Sequence, residues 1–351
     1  MDNDRVVWIR TDGNEEMASG HLVRCLTIAK ALIKHGGKAH FLLSDEKSLE
    51  ELRKRLDRDG ERLQKEKRMD MTVLHTEYQH PEKELPLLKQ ILQKESNPVL
   101  LVDSYFVTPK YLEELRTVAK TYYMDDLQLF DYPVDGVFNY DIRVRADFYK
   151  SAAAKYLEGQ YAPLRAQFQD RRYEVRKEAK SLLLTMGGTD PENFCERFLR
   201  FFLSQQDSPG WKVHVVVGSM FSDKQTLEEL AASRENVMLH QNVTDMASLM
   251  EQCDLAISAG GTTLFELCAI GVPTLSISVS ENQMPCNLAF AQAGILSYEG
   301  EVREKNLEER LYAKVMELSS NLSERQKMSK RQRKAIDGKG ADRIAEILLV
   351  Q

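Results

Sequence analysis

Leu255-Ala256-Ile257-Ser258-Ala259-Gly260-Gly261-Thr262-Thr263-Leu264-Phe265-Glu266-Leu267 is the stretch on which the fold turns. An apolar run of strand length, Leu255 to Ser258, breaks at two glycines and resumes with helical spacing. A buried parallel strand feeding a helix is built this way. The loop would point backbone N–H groups and the positive end of a helix at an anion, and two hydroxyls stand beside it. Glu266 follows about one helical turn later, where a carboxylate can accept hydrogen bonds from a ribose diol. The loop has neither the G-x-x-x-x-G-K-[ST] nor the G-x-G-x-x-G spacing, which counts against ATPase and dinucleotide readings.

The same alternation runs outward in both directions. Downstream come Gly271-Val272-Pro273, a strand from Thr274 to Val279, and Glu281-Asn282-Gln283. Upstream, Ser181 to Met186, Val213 to Val217 and Val237 to His240 read as strands with helices between them. In the first half Val6 to Arg10, Ala39 to Leu43, Thr72 to His75, Val99 to Asp103, Tyr122 to Met124 and Val137 to Tyr140 read as strands, and Gly20 to His35 as a helix. Asp45 to Lys67, charged with leucines at helical spacing, reads as a solvated amphipathic helix. Between Ala146 and Lys180 the pattern loosens, which predicts an inter-domain segment. At 351 residues the chain exceeds what one core usually supports. Two α/β domains are expected, residues 1–160 and 161–351, the second carrying the C-terminal helices. The last amphipathic piece, Ala341 to Leu349, is suited to covering a face of either domain.

Composition narrows the function. With 42% hydrophobic and 29% charged residues the chain is an ordinary globular one, and its net charge of −6 gives no footprint for nucleic acid. No apolar run is long enough to span a bilayer. The polar, acidic start lacks the character of a secretory leader, so a cytoplasmic location is expected. Five cysteines, with no C-x-x-C pair, suit a reducing compartment. The seven histidines have no metal-ligand spacing. The one Asp-x-Asp, Asp57-Arg58-Asp59, lies in the charged segment, so no metal or other cofactor is expected.

Two further strand-loop-helix junctions carry candidate chemistry. Arg10-Thr11-Asp12-Gly13 leads to Ser19-Gly20-His21 at a helix start. An imidazole with a pKa of about 6.5 can take a proton from water at neutral pH, and Gly20 allows a substrate close approach. A capping or merely packed histidine would look the same in isolation. Thr185-Met186-Gly187-Gly188-Thr189-Asp190-Pro191 can expose amides at Gly187 and Gly188, although a plain tight turn explains the pair as well. Asp190 before Pro191 reads as a helix N-cap.

Taken together these segments, with Val102-Asp103-Ser104-Tyr105, Asp125-Asp126-Leu127 and Tyr161-Ala162-Pro163-Leu164-Arg165, resemble the PseG/SpsG group. That group comprises the UDP-sugar hydrolase of pseudaminic acid biosynthesis and related spore coat polysaccharide proteins. The second half also resembles the nucleotide-binding domain of MurG-type glycosyltransferases. The resemblance implies a GT-B fold, two Rossmann-type doubly wound domains facing a central cleft. It implies that Glu266 binds ribose, Gly260, Gly261, Thr262 and Thr263 the diphosphate, and the backbone around Val243 the uracil. Water would replace UDP at the anomeric carbon with inversion, freeing a 2,4-diacetamido-2,4,6-trideoxy sugar. His21 matches the group's essential histidine, and Asn282, beside Gln283, falls at an active-site position. Asp12, Tyr105 and Arg165 are candidates to hold the sugar or orient His21. One departure stands out: Met17-Ala18-Ser19-Gly20-His21 replaces the usual Ile-Gly-x-Gly-His, placing a bulkier residue at 18. A glycosyltransferase sharing the UDP site, and a non-catalytic UDP-sugar binding protein, are the rival readings.

Overall fold

The computed structural model describes residues 5–13, 20–56, 58–205, 210–218, 220–222 and 224–350. The Met17-Ala18-Ser19 departure and Asp57 lie outside them. The chain divides into two compact units, residues 1–165 with 339–351, and residues 166–338.

The first unit contains the strands β1 Val6–Thr11, β2 Lys38–Leu43, β3 Met69–Val73, β4 Val99–Asp103, β5 Lys120–Met124, β6 Gly136–Asn139 and β7 Ala154–Leu157. They form one parallel seven-stranded sheet in the order β3-β2-β1-β4-β5-β6-β7. All of β4 is buried, as both-sided helix cover demands. Helix α1, Gly20–Lys34, buries Leu22, Cys25, Leu26, Ala29 and Leu32 at three- and four-residue spacing. Gly36, at φ 92°, ends it in the left-handed region. The predicted charged helix is two, α2 Glu46–Lys54 and α3 Arg58–Lys65, followed by an earlier β3 than the pattern gave. Helices α4 Leu85–Leu92 and α5 Pro109–Arg116 complete this part.

The second unit has β8 Ser181–Thr185, α6 Phe194–Ser204, β9 Lys212–Val217, α7 Lys224–Ala232, β10 Val237–Gln241, α8 Met246–Glu251, β11 Leu255–Ala259 and α9 Thr262–Ile270. It continues with β12 Thr274–Ser278, α10 Met284–Gln292, β13 Ser297–Glu301, α11 Leu307–Ser320 and α12 Leu322–Ala335. Its six parallel strands run β10-β9-β8-β11-β12-β13. Leucines and valines of β8 and β9 pack on Phe194, Phe198 and Phe202 of α6.

The second domain does not keep all of the C-terminal helices expected in it. Helix α13, Gly340–Val350, packs on α1 of the first unit, with Ala341, Ile344, Ala345, Leu348 and Leu349 in the same core as Leu22 and Leu32. Each such leucine contributes about 1.5–3 kcal/mol by burial, enough to decide which unit claims the helix. Lys34 adds an ion pair to Asp342 at 2.7 Å. The predicted inter-domain segment also begins too early, because β7 lies inside it. Among the described residues no helix is long and apolar enough to cross a membrane.

Candidate active site

In each sheet the strand order reverses once, between β1 and β4 and between β8 and β11. Ligands of open α/β sheets bind beyond the carboxyl ends of strands at such switch points. His21 opens the helix after β1 and Asp103 ends β4, while Gly187 follows β8 and Gly260 follows β11, so these candidates stand at the two switch points.

In the first unit α1 brings His21 and Arg24 over the end of β4. His21 is 9% exposed, and its Nδ1 lies 3.1 Å from Asp103 Oδ1. Arg24 grips the same fully buried carboxylate at both oxygens, Nε to Oδ2 at 2.6 Å and Nη2 to Oδ1 at 2.5 Å. Its Nη1 donates to Asp126 Oδ2 at 2.7 Å and to the Tyr140 hydroxyl at 3.2 Å. The Tyr105 hydroxyl donates to Asp126 at 3.0 Å, and its ring stands edge-on to the His21 imidazole, centroids 4.3 Å apart.

The electrostatics follow from this packing. Burial opposes ionisation of Asp103, but Arg24 and His21 outweigh it and hold the carboxyl below its ordinary range. Burial likewise disfavours the His21 imidazolium. The Asp103 carboxylate overcomes that cost, and the net shift is upward from the ordinary histidine value. With Nδ1–H donating to the Asp103 carboxylate, the neutral ring carries its lone pair on Nε2.

Asp12 stands elsewhere. It is buried, with Oδ2 on Arg10 Nη1 at 2.5 Å and Oδ1 accepting from the backbone N and Oγ of Ser44 at 2.7 and 2.8 Å. Arg10 is completed by Glu84, at 2.7 and 2.8 Å. Asp12 therefore anchors a buried ion-pair network, and the carboxylate on His21 is Asp103. Asp103 and Asp126 stand in the segments that carry the family resemblance, without a role given to either. The available signal was Arg24, a cation three residues past His21 and so on the same helix face. Gly20 has open space where a Cβ would project. Arg165 is exposed at the end of the first unit.

In the second unit the two glycine loops differ in a way their sequences hide. Helix α6 starts at Phe194, later than the Asp190-Pro191 pattern predicts. Asp190 still serves it, accepting from Phe194 N and Cys195 N at 2.8 Å each. Its leading amides are thereby taken. Helix α9 starts on Gly261, and no side chain caps it. Gly261 also has nothing near its Cβ position, and Thr262 is exposed with Thr263 half-buried.

Gly260 is a glycine for a different reason. A Cβ there would meet Asn287 Nδ2 at 2.3 Å, and Asn287 also donates to Ser278 Oγ at 2.9 Å. Gly187, at φ 78°, faces open space. Gly188 and Gly187 are crowded from below by Gly218, whose Cβ would lie 2.4 Å from both of their carbonyl oxygens. Glu266 is half-buried on α9, and Val243 half-buried between β10 and α8. Asn282 accepts from Ser280 Oγ at 2.6 Å, and Gln283 Oε1 accepts from Val279 N at 3.0 Å, so Gln283 holds its own loop. Among the described residues no group of three histidine, cysteine or carboxylate side chains could hold a metal ion.

Comparison with known proteins accords with this layout. Residues 182–344 match the glycosyltransferase family 28 C-terminal domain. MurG of Acinetobacter baumannii superimposes with a TM-score of 0.70 over 99% of this chain and 100% of its own, at 13% identity. The two parallel-sheet domains are thus those of the GT-B class. In sequence, the chain is 27% identical to the spore coat polysaccharide biosynthesis protein SpsG of Bacillus subtilis, over 97% of both chains. It is 24% identical, over 57% of its length and 37% of the other's, to a Helicobacter pylori protein. That protein is described as a pseudaminic acid cytidylyltransferase and UDP-2,4-diacetamido-2,4,6-trideoxy-beta-L-altropyranose hydrolase. Within the GT-B class, then, the chain resembles the PseG/SpsG group, and its likeness to SpsG runs along 97% of both chains.

Proposed function

We propose that the protein is a UDP-sugar hydrolase, and the His21–Asp103 contact carries that reading. Asp103 orients the imidazole through Nδ1, which leaves Nε2 to take a proton from water. The water oxygen bonds to the anomeric carbon as the bond from that carbon to the UDP β-phosphate oxygen breaks. The bonding pair leaves with UDP, and the sugar is released with inverted configuration. The uncapped start of α9, with Gly261, Thr262 and Thr263, would bind the diphosphate and stabilise its growing charge. Glu266 would bind the ribose, the backbone near Val243 the uracil, and Asn282 the reacting part of the sugar. The likeness to the Helicobacter pylori protein supports a 2,4-diacetamido-2,4,6-trideoxy sugar, and the likeness to SpsG supports a place in surface polysaccharide assembly. The buried thiols of Cys25, Cys195, Cys253 and Cys268 fit a reducing, cytoplasmic setting.

A transferase reading rests on the family 28 match, because its UDP site would be the same. One experiment separates the two. The purified protein, in EDTA, is incubated with UDP-2,4-diacetamido-2,4,6-trideoxy-altrose and with UDP-GlcNAc, following free UDP and free sugar beside a His21→Ala variant. Release of both products by the wild type alone supports the hydrolase. UDP bound tightly, with no release from either protein, rejects it for these substrates.

A further inference from the structure

Asn287 lies on α10, fully buried, and its carboxamide reaches the loop between β11 and α9. Nδ2 uses both hydrogens on the end of β12, donating to Ile277 O at 3.2 Å and to Ser278 Oγ at 2.9 Å. Gly260 N donates to the same Ile277 carbonyl at 3.0 Å. One carbonyl oxygen thus takes a bond from the glycine loop and a bond from α10. The amide also fills the place of a side chain on Gly260. Its Nδ2, Cγ and Oδ1 stand 2.3, 2.8 and 2.9 Å from where a Cβ would be.

Oδ1 is buried and has no hydrogen-bond partner. An unpaired buried acceptor is destabilising, and an apolar side chain of similar size would avoid that cost. The polar group is accounted for by what Nδ2 holds together. On one side is the Gly260–Thr263 loop, whose Gly261 begins α9 with no side chain capping it. On the other is the end of β12, from which the chain runs through Asn282 into α10. Gln283 closes that second loop, its Oε1 accepting from Val279 N at 3.0 Å. Two loops with proposed ligand contacts are therefore fixed to one another by a side chain that faces no solvent.

We infer that Asn287 is a positioning residue for the diphosphate, setting the Gly260–Gly261 loop and the uncapped start of α9 against the Asn282 loop. The inference rests on the UDP site of the reading above and adds to it a residue that touches no ligand. A loop held in place beforehand needs no rearrangement as charge grows on the leaving phosphate. Uridine, which carries no phosphate, makes no demand on that loop.

The test measures affinity for UDP and for uridine, with kcat and KM on UDP-2,4-diacetamido-2,4,6-trideoxy-altrose. It compares wild type with Asn287→Ala, Asn287→Asp, Gly260→Ala and the double variant carrying both alanines. Asn287→Ala and Asn287→Asp are expected to weaken UDP binding about tenfold and to lower kcat, with uridine affinity unchanged. Asn287→Asp keeps the shape and loses the donors, which separates bonding from filling. Gly260→Ala alone should weaken UDP binding, and beside Asn287→Ala its further effect should shrink because the truncation vacates the space. Unchanged UDP affinity in Asn287→Ala overturns the inference. So does an equal loss on UDP and uridine, or a failure of Asn287→Ala to fold, since each marks a merely structural residue. If Gly260→Ala does not fold, the ratio of UDP to uridine affinity in the Asn287 variants decides. UDP bound by the wild type without turnover rejects the hydrolase alone, and the same ratio still judges Asn287. A wild type that binds no UDP removes the site and this inference with it.

Discussion

His21 Nδ1 sits 3.1 Å from Asp103 Oδ1, and the same carboxylate is clamped at both oxygens by Arg24. The pair joins a helix start to the end of the neighbouring central strand. A general base must be close, in the right tautomer and held still, and this arrangement meets all three needs. His21→Ala is expected to lower kcat by 10²–10⁴-fold with UDP affinity retained, as measured by UDP release and by titration with UDP.

The pH profile gives a second test. A base works in its neutral form, so the rate should rise with pH through the His21 pKa, and Asp103 places that midpoint above the ordinary histidine value. In Asp103→Asn the acid limb should move to lower pH while kcat falls. The sign for stability is opposite: the raised pKa contributes stability that is full below about pH 6.5 and is lost as pH climbs through the native value.

Asp12 should behave as a folding residue. Asp12→Ala removes one of the two carboxylates on buried Arg10 and the acceptor of the Ser44 bonds. A loss on the order of 3 kcal/mol is expected in urea unfolding, with kcat per folded molecule nearly unchanged. A large drop in kcat at full stability would return Asp12 to the chemistry.

Gly218→Ala tests the support of the Gly187-Gly188 loop. The new methyl would press on two backbone carbonyls, which cannot rotate away as a side chain can. Lower stability of the second unit and weaker UDP-sugar binding are expected together, read by thermal unfolding with and without ligand.

His214 predicts an acid limit. Its Nδ1 lies 3.0 Å from His240 Nε2, and burial first, then His240, push its pKa down to about 4. The unfolded chain binds this proton more readily, so stability should fall as pH drops from about 6.5 toward 4, by on the order of 1–3 kcal/mol. In His214→Gln that slope should flatten in urea titrations at a series of pH values.

Much of the fold was legible because central parallel strands are apolar on both faces. Runs such as Val99–Asp103 and Leu255–Ala259 stand out by that fact alone. The strands that escaped, β7 and β13, lie at sheet edges, where Ser297-Tyr298-Glu299-Gly300-Glu301 needs no apolar alternation. The position of His21 could be read from a helix start after a strand. Its partner could not, since Asp12 and Asp103 both end central strands, and only three-dimensional register brings one of them to the imidazole. Gly260 and Gly261 are likewise identical in sequence, yet one yields its space to Asn287 and the other to solvent.

The return of α13 to the first unit has a consequence for how the chain is made. Residues 166–338 form a continuous insertion, while the first unit is assembled from two pieces separated by that whole length. During synthesis the second unit can close as soon as its own segment has emerged. The first, although begun earlier, keeps the apolar face of α1 uncovered until Ile344 and Leu348 arrive. The first unit can therefore be completed only after the second has been synthesised, and a fragment ending near Arg165 would expose the very surface that α13 conceals.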